Sequence, residues 1–193
     1  AATGMDALTH AIESYVNTAT QPISECLALE AIRLIGNNLR TAVAKGEVVE
    51  ARYNMLLGSL MAGLAFHHTR LGNAHALAMP LGSGKWPIPH GVVNAILLPH
   101  VMKFNLVGNL NKFALLAKYL GVKVDSLSTR EAAEKSVEAV KQLLSDVNLS
   151  QNLSQFGVEK EDLKSIAEEA VKSGNITVNP RRTSVEDLVN ICL

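Results

Sequence analysis

Along most of the chain, apolar residues return every three or four positions and almost nowhere alternate. That spacing lines one side of a helix, whereas a half-buried strand needs a period of two. Met5, Leu8, Ile12, Tyr15 and Val16 mark a helix within 5–18. Pro22 opens a second over 23–45, with Cys26, Leu27, Ala31, Leu34 and Ile35 inside and Gly46 as its stop. A third covers 47–66, where Gly58, Ala62 and Gly63 predict close packing against a neighbour. A short helix over 73–79 and a loop over 82–90 precede an apolar helix over 91–104, loosened at Pro99. Beyond it lie an amphipathic helix over 109–120 ended by Gly121 and one over 129–147 opened by a Ser128–Glu131 capping box. A further helix over 159–173 is closed by Gly174, and a terminal helix follows a Thr183–Glu186 box. Only 175–179 reads as extended. The expected fold is all-α, a bundle-like domain of eight or nine helices spanning 1–193.

Composition narrows the function. Lys plus Arg and Asp plus Glu both number 18, so the formal charge is zero. The basic excess or stripe of a nucleic-acid binder is missing. Charged residues make up 19% of the chain and apolar ones 48%, against about 25% charged in an average domain. That balance excludes a disordered chain and predicts a large interior, compatible with a homo-oligomeric interface. No uninterrupted apolar run reaches the roughly 18 residues of a membrane span, and no signal peptide opens the chain. Cys26 and Cys192 are too few for a disulfide framework, so a cytoplasmic setting is expected. The start at Ala1, without an initiator Met, reads as a piece of a longer protein.

Chemistry concentrates in two places. Asp6 and His10 are four apart on a predicted helix, which puts a carboxylate and an imidazole on one face. Such a pair can share a divalent ion, and on pattern alone it is more often a solvated polar pair. The second place is 67–91, with four of the six histidines, the only Trp and three of the six prolines. His75 lies among alanines, and His90 stands between Pro89 and Gly91, where a rigid turn fixes the ring and glycine allows close approach. Each alone is more often a satisfied buried histidine or a helix-start residue. Together, one Asp and three His form an N₃O set suited to Fe(II), Zn(II), Ni(II) or Co(II). His67 and His68 end a helix, where the dipole favours cations, and they could also face a substrate pocket. His100 reads as structural, and Lys85 and Trp86 border a loop or a pocket. No G-x-G-x-x-G, P-loop, G-x-S-x-G or CxxC is present.

The run Gly4-Met5-Asp6-Ala7-Leu8-Thr9-His10-Ala11-Ile12-Glu13, the segment Gly72–Gly82 with His75, and Pro89-His90-Gly91-Val92-Val93-Asn94-Ala95-Ile96-Leu97-Leu98-Pro99-His100-Val101 form one combination. It resembles the C-terminal helical domain of the iron-containing alcohol dehydrogenases, over essentially the whole chain. The resemblance implies a metal held by Asp6, His10, His75 and His90, placing the metal site in a 1–105 half and leaving 106–193 as the C-terminal helical half of the same domain. It implies Fe(II), or zinc or nickel after exchange. NAD or NADP would be bound through an upstream α/β domain, and hydride would pass between a small alcohol and its aldehyde or ketone. Without that upstream domain the chain is expected to be inactive. Two departures stand out. Met79 occupies a cofactor-side position that is usually histidine in the family, so His67, His68 or water is expected to take over its catalytic work. The stretch from His75 to His90 is also one residue longer. A non-catalytic helical module with a degenerate metal site, and a zinc-dependent polyol dehydrogenase of the glycerol dehydrogenase branch, are the alternative readings.

Overall fold

A computed structural model describes residues 1–83 and 85–193. Gly84, within the predicted 82–90 loop and the lengthened His75–His90 stretch, lies outside the described residues. Nine α-helices follow one another among the described residues, and no strand occurs there. They are α1 (Ala2–Val16), α2 (Pro22–Ala44), α3 (Val49–Thr69), α4 (Asn73–Leu81) and α5 (His90–Asn105). The remainder are α6 (Leu110–Tyr119), α7 (Thr129–Asp146), α8 (Leu163–Ala170) and α9 (Val185–Cys192).

α1, α2 and α3 pack as a layer whose core is continued by α6 and α7, through Ile12, Ile32, Phe113 and Val140 among others. A second core joins α4 to α8 and α9 through Leu77, Leu81, Ile166 and Leu188. α5 divides its residues between the two. Leu98 and Met102 face the first core, and Val93, Leu97 and Val101 face the second. A helix buried on two sides keeps only a narrow polar edge, here His100 and Lys103, which is why most of its sequence is apolar. With the turn that follows, His90–Gly108 is long and apolar enough to cross a membrane by composition alone; the fold instead buries most of it.

Local chemistry explains the element ends. Pro22 sits in the first turn of α2, where its missing N–H has no partner to lose. Ser128 and Glu131 form the expected capping box. Gly121 takes φ +85° after α6, letting Val122 N–H reach the Ala117 carbonyl. α5 runs through Pro99 unbroken.

Five expectations require correction. α4 continues past residue 79 to Leu81 with Pro80 in its last turn, since proline keeps a helical φ and forfeits one backbone bond there. The terminal box is Ser184–Asp187; the Thr183 hydroxyl is occupied by Asn73 Nδ2 at 3.0 Å. Residues 176–178 form a 3₁₀ turn. Ile-Thr-Val has strand propensity, but local bonds such as Ile176 N–H to Ser173 O satisfy the backbone here. The 159–173 segment splits into a 3₁₀ turn, Lys160–Asp162, and α8. In α3, Gly58 does pack closely, with space for a Cβ taken by Ile35 at 2.8 Å, whereas Gly63 faces open space.

Candidate metal centre

Three helices bring the polar residues together. α1 carries Asp6 and His10 one turn apart, and also Glu13. α4 is held end-on to it and presents His75. α5 begins at His90 and carries Asn94 one turn later. The α1–α5 approach depends on Gly91, where a Cβ would stand 2.6 Å from the Ala2 carbonyl oxygen and 3.3 Å from Asp6 Cβ. The chain reverses between α3 and α4 at Arg70, whose φ is +63°. Asn17 Nδ2 secures that turn by donating to the Thr69 and Arg70 carbonyls at 3.0 and 3.1 Å.

The ligand-type atoms converge. Asp6 Oδ1 lies 3.7 Å from His75 Nε2 and 3.8 Å from His90 Nε2. Asp6 Oδ2 lies 3.9 Å from His10 Nδ1. One donor atom each from Asp6, His10 and His75 falls within 4.8 Å of the others. Two donors each about 2.1 Å from a common ion stand about 3 to 4.2 Å apart in ordinary coordination geometries. The carboxylate–imidazole separations match that span, and the one-carboxylate, three-imidazole set suits a divalent transition metal. The residues therefore fit the metal that their types imply.

The surroundings prepare these atoms. Glu13 is only 2% exposed. Its Oε2 accepts from His75 Nδ1 at 2.7 Å and from Gly72 N–H at 2.9 Å, and its Oε1 accepts from Ala74 N–H at 2.7 Å. A carboxylate can only accept, so it fixes the proton on Nδ1 and turns the Nε2 lone pair toward Asp6. The same carboxylate caps the N-terminus of α4, where no capping side chain is provided locally. His10 stacks on Phe66 with ring centroids 4.7 Å apart. Burial, reinforced by His75, pushes the His10 imidazole down to about 4 against the pull of Asp6 and Glu13. A neutral ring is the form that coordinates. His90 is the open side, its side chain 44% exposed.

The remaining candidates lie outside this convergence. His67 and His68 are exposed in the last turn of α3, their rings edge to face at 5.5 Å. Met79 is one turn beyond His75 on α4 and 64% exposed. Lys85 pairs with Asp162 at 2.7 Å and lies over the Trp86 ring. His100 is exposed on α5.

Two residues escaped sequence reasoning, Glu13 and Asn94. Glu13 follows His10 by three positions and Asn94 follows His90 by four, so helical spacing already places each on the ligand-bearing face. Spacing alone does not reveal that Glu13 reaches across to another helix.

Known proteins place this arrangement. The model of the Fe-containing alcohol dehydrogenase family, C-terminal part, matches residues 1–193. The chain is 47% identical over 191 residues to 1,3-propanediol dehydrogenase of Citrobacter freundii, covering 99% of this chain and 49% of that protein. It is 41% identical to lactaldehyde reductase of Escherichia coli K12, with the same coverage. A solved 1,3-propanediol oxidoreductase superposes with a TM-score of 0.97 at 46% identity, over 99% of this chain and 50% of that one. An alcohol dehydrogenase from Oenococcus oeni superposes with a TM-score of 0.95 at 44% identity. The chain thus spans about half the length of the relatives it matches. It belongs to the iron-containing alcohol dehydrogenase family and corresponds to that family's C-terminal helical domain.

Proposed function

We propose that this chain is the metal-binding part of an NAD(P)-linked alcohol dehydrogenase, with Asp6, His10, His75 and His90 holding the ion. The observation that carries the reading is the convergence of these four side chains from α1, α4 and α5, with Glu13 fixing the His75 tautomer. Fe(II) is the proposed native metal, with zinc and nickel able to enter the same N₃O set. When bound, the metal supplies Lewis acidity to the oxygen of an alcohol, aldehyde or ketone.

The chain's own residues supply orientation. Glu13 holds His75 in one tautomer, and α4, buried on nearly every residue, keeps that ring from turning. Phe66 covers His10 and excludes water from its side of the cluster. His90, on the open face, borders the side from which a small substrate would approach. The dinucleotide, NAD or NADP, would be supplied by the additional half that the relatives contain. The names of three relatives, a 1,3-propanediol dehydrogenase, a lactaldehyde reductase and an NAD-dependent methanol dehydrogenase, support a small alcohol or aldehyde as substrate. Met79 is assigned to the cofactor side. His67 and His68, on the exposed end of the helix that also bears Phe66, are assigned to substrate-side proton handling. By themselves the 193 residues should turn over little alcohol.

Elemental analysis after anaerobic reconstitution with Fe(II) and with Zn(II) tests this reading. The expected result is about one metal per chain in the wild type and none in the His75→Ala, His90→Ala double variant. A metal-free wild type would favour a helical scaffold that has lost its chemistry.

A further inference from the structure

Asn94 is completely buried at the centre of the cluster. Its Nδ2 lies 2.6 Å from Asp6 Oδ1, 3.1 Å from His75 Nε2 and 3.1 Å from His90 Nε2. Three acceptors therefore surround an NH₂ that has two hydrogens. Its Oδ1 shows the opposite imbalance: among the described residues it is the buried side-chain polar atom without a hydrogen-bond partner. Turning the amide over would set Oδ1 against the Asp6 carboxylate, acceptor against acceptor. Asp6 therefore fixes the orientation, and the unpaired carbonyl is its consequence. An apolar side chain of similar size would fill this space without leaving a polar atom unpaired. The amide is thus explained by its NH₂ end.

We infer that Asn94 is the positioning residue of the metal centre: its NH₂ stands where the donor atoms converge and holds Asp6, His75 and His90 directed at one point. The inference rests on the metal-centre reading above. Two imidazole lone pairs, each within 4 Å of the same Asp6 carboxylate oxygen, are repelled by it. The partial positive charge of an NH₂ group offsets that repulsion and selects the lone-pair-inward form of both rings. A cation makes the same demand on the same atoms more strongly, so the amide yields the position to it by turning about its own side-chain bonds.

The test is Zn(II) affinity by competition with a chelating dye, alongside melting temperature in EDTA and in Zn(II), on full-length chains checked for helicity. Asn94→Ala leaves Asp6, His75 and His90 without the group that holds them converged before the ion enters, and should weaken Zn(II) binding about ten- to hundredfold, the range found when a group that orients a ligand is removed. Asn94→Asp places a second carboxylate beside Asp6. It should melt lower than Asn94→Ala in EDTA and gain more from Zn(II) than the wild type does. A packing role predicts instead that both variants melt lower by equal amounts with and without Zn(II). Affinity of Asn94→Ala within about threefold of wild type, a change smaller than the ten- to hundredfold range, would overturn the inference and leave the metal centre standing. A wild type that takes up no Zn(II) would overturn both.

Discussion

Polar side chains point inward at one end of this molecule and outward at the other. Around α1, α4 and α5, Glu13, Ser14, Asn73, His75 and Asn94 are all buried. Their partners are distant in sequence: Ser14 meets Thr69 at 2.9 Å, and Glu13 meets Gly72, Ala74 and His75. In α7 to α9, apart from the buried Ser136 with its local bond to the Ala133 carbonyl, the pattern reverses. Ser128 and Ser184 cap the helices they begin. Lys135 pairs with Glu138, Lys164 with Glu168 and Lys172 with Glu169, all exposed and all one turn apart. The C-terminal helices are specified locally, by caps and amphipathic spacing. The cluster end is specified by tertiary placement, so each of its polar groups depends on elements that are far away along the chain.

The sharpest way to break this contrast is Glu13→Ala. It strands two backbone N–H groups and the His75 proton inside the protein, and breaking a buried charged network of this kind costs about 3 to 5 kcal/mol. Urea denaturation should show that loss, with a smaller one for Glu13→Gln. Next comes Gly91→Ala. Its Cβ would meet the Ala2 backbone, which cannot swing aside as a side chain does, so the variant should lose about 1 to 3 kcal/mol. By moving α1 from α5 it should also weaken metal uptake in the titration described above. Ser128→Ala and Ser184→Ala, in the locally specified half, should each cost about 1 kcal/mol and leave metal uptake unchanged. The smallest effect belongs to His100. Partial desolvation of a ring whose residue is otherwise exposed, with Lys141 and Lys103 nearby, holds its imidazole below the usual 6.5. The unfolded chain then binds this proton more readily than the folded one, so stability falls as pH drops below 6.5. His100→Gln should flatten that part of the melting-temperature profile slightly.

What the sequence revealed follows the same division. α7 was legible because its caps and its apolar stripe lie within one segment. The proposed ligands Asp6, His10, His75 and His90 were legible as residue types in recognisable runs. Glu13 was not, because a carboxylate at the third position after His10 is ordinary until α4 is seen to end against it. Thr183 misled for a related reason. Its hydroxyl looks free to cap α9, but Asn73 and Asn179 claim it, so the cap moves to Ser184. Local signals identify which groups are capable of a bond, and tertiary structure decides which partner receives it.

α4 has nine residues, one of them proline, and its N-terminal cap is a side chain of α1. A helix that short has little stability in isolation. Its form depends on the contact with α1, and hydrogen exchange in its amides should accompany the opening of that contact. His75 is therefore withheld as a presented ligand from a growing or partly folded chain. Such a chain offers at most the Asp6–His10 pair, which is a weak and unselective trap, and the complete donor set exists only in a protein that has finished folding. The proposed donor set is thus incomplete until α4 has docked on α1.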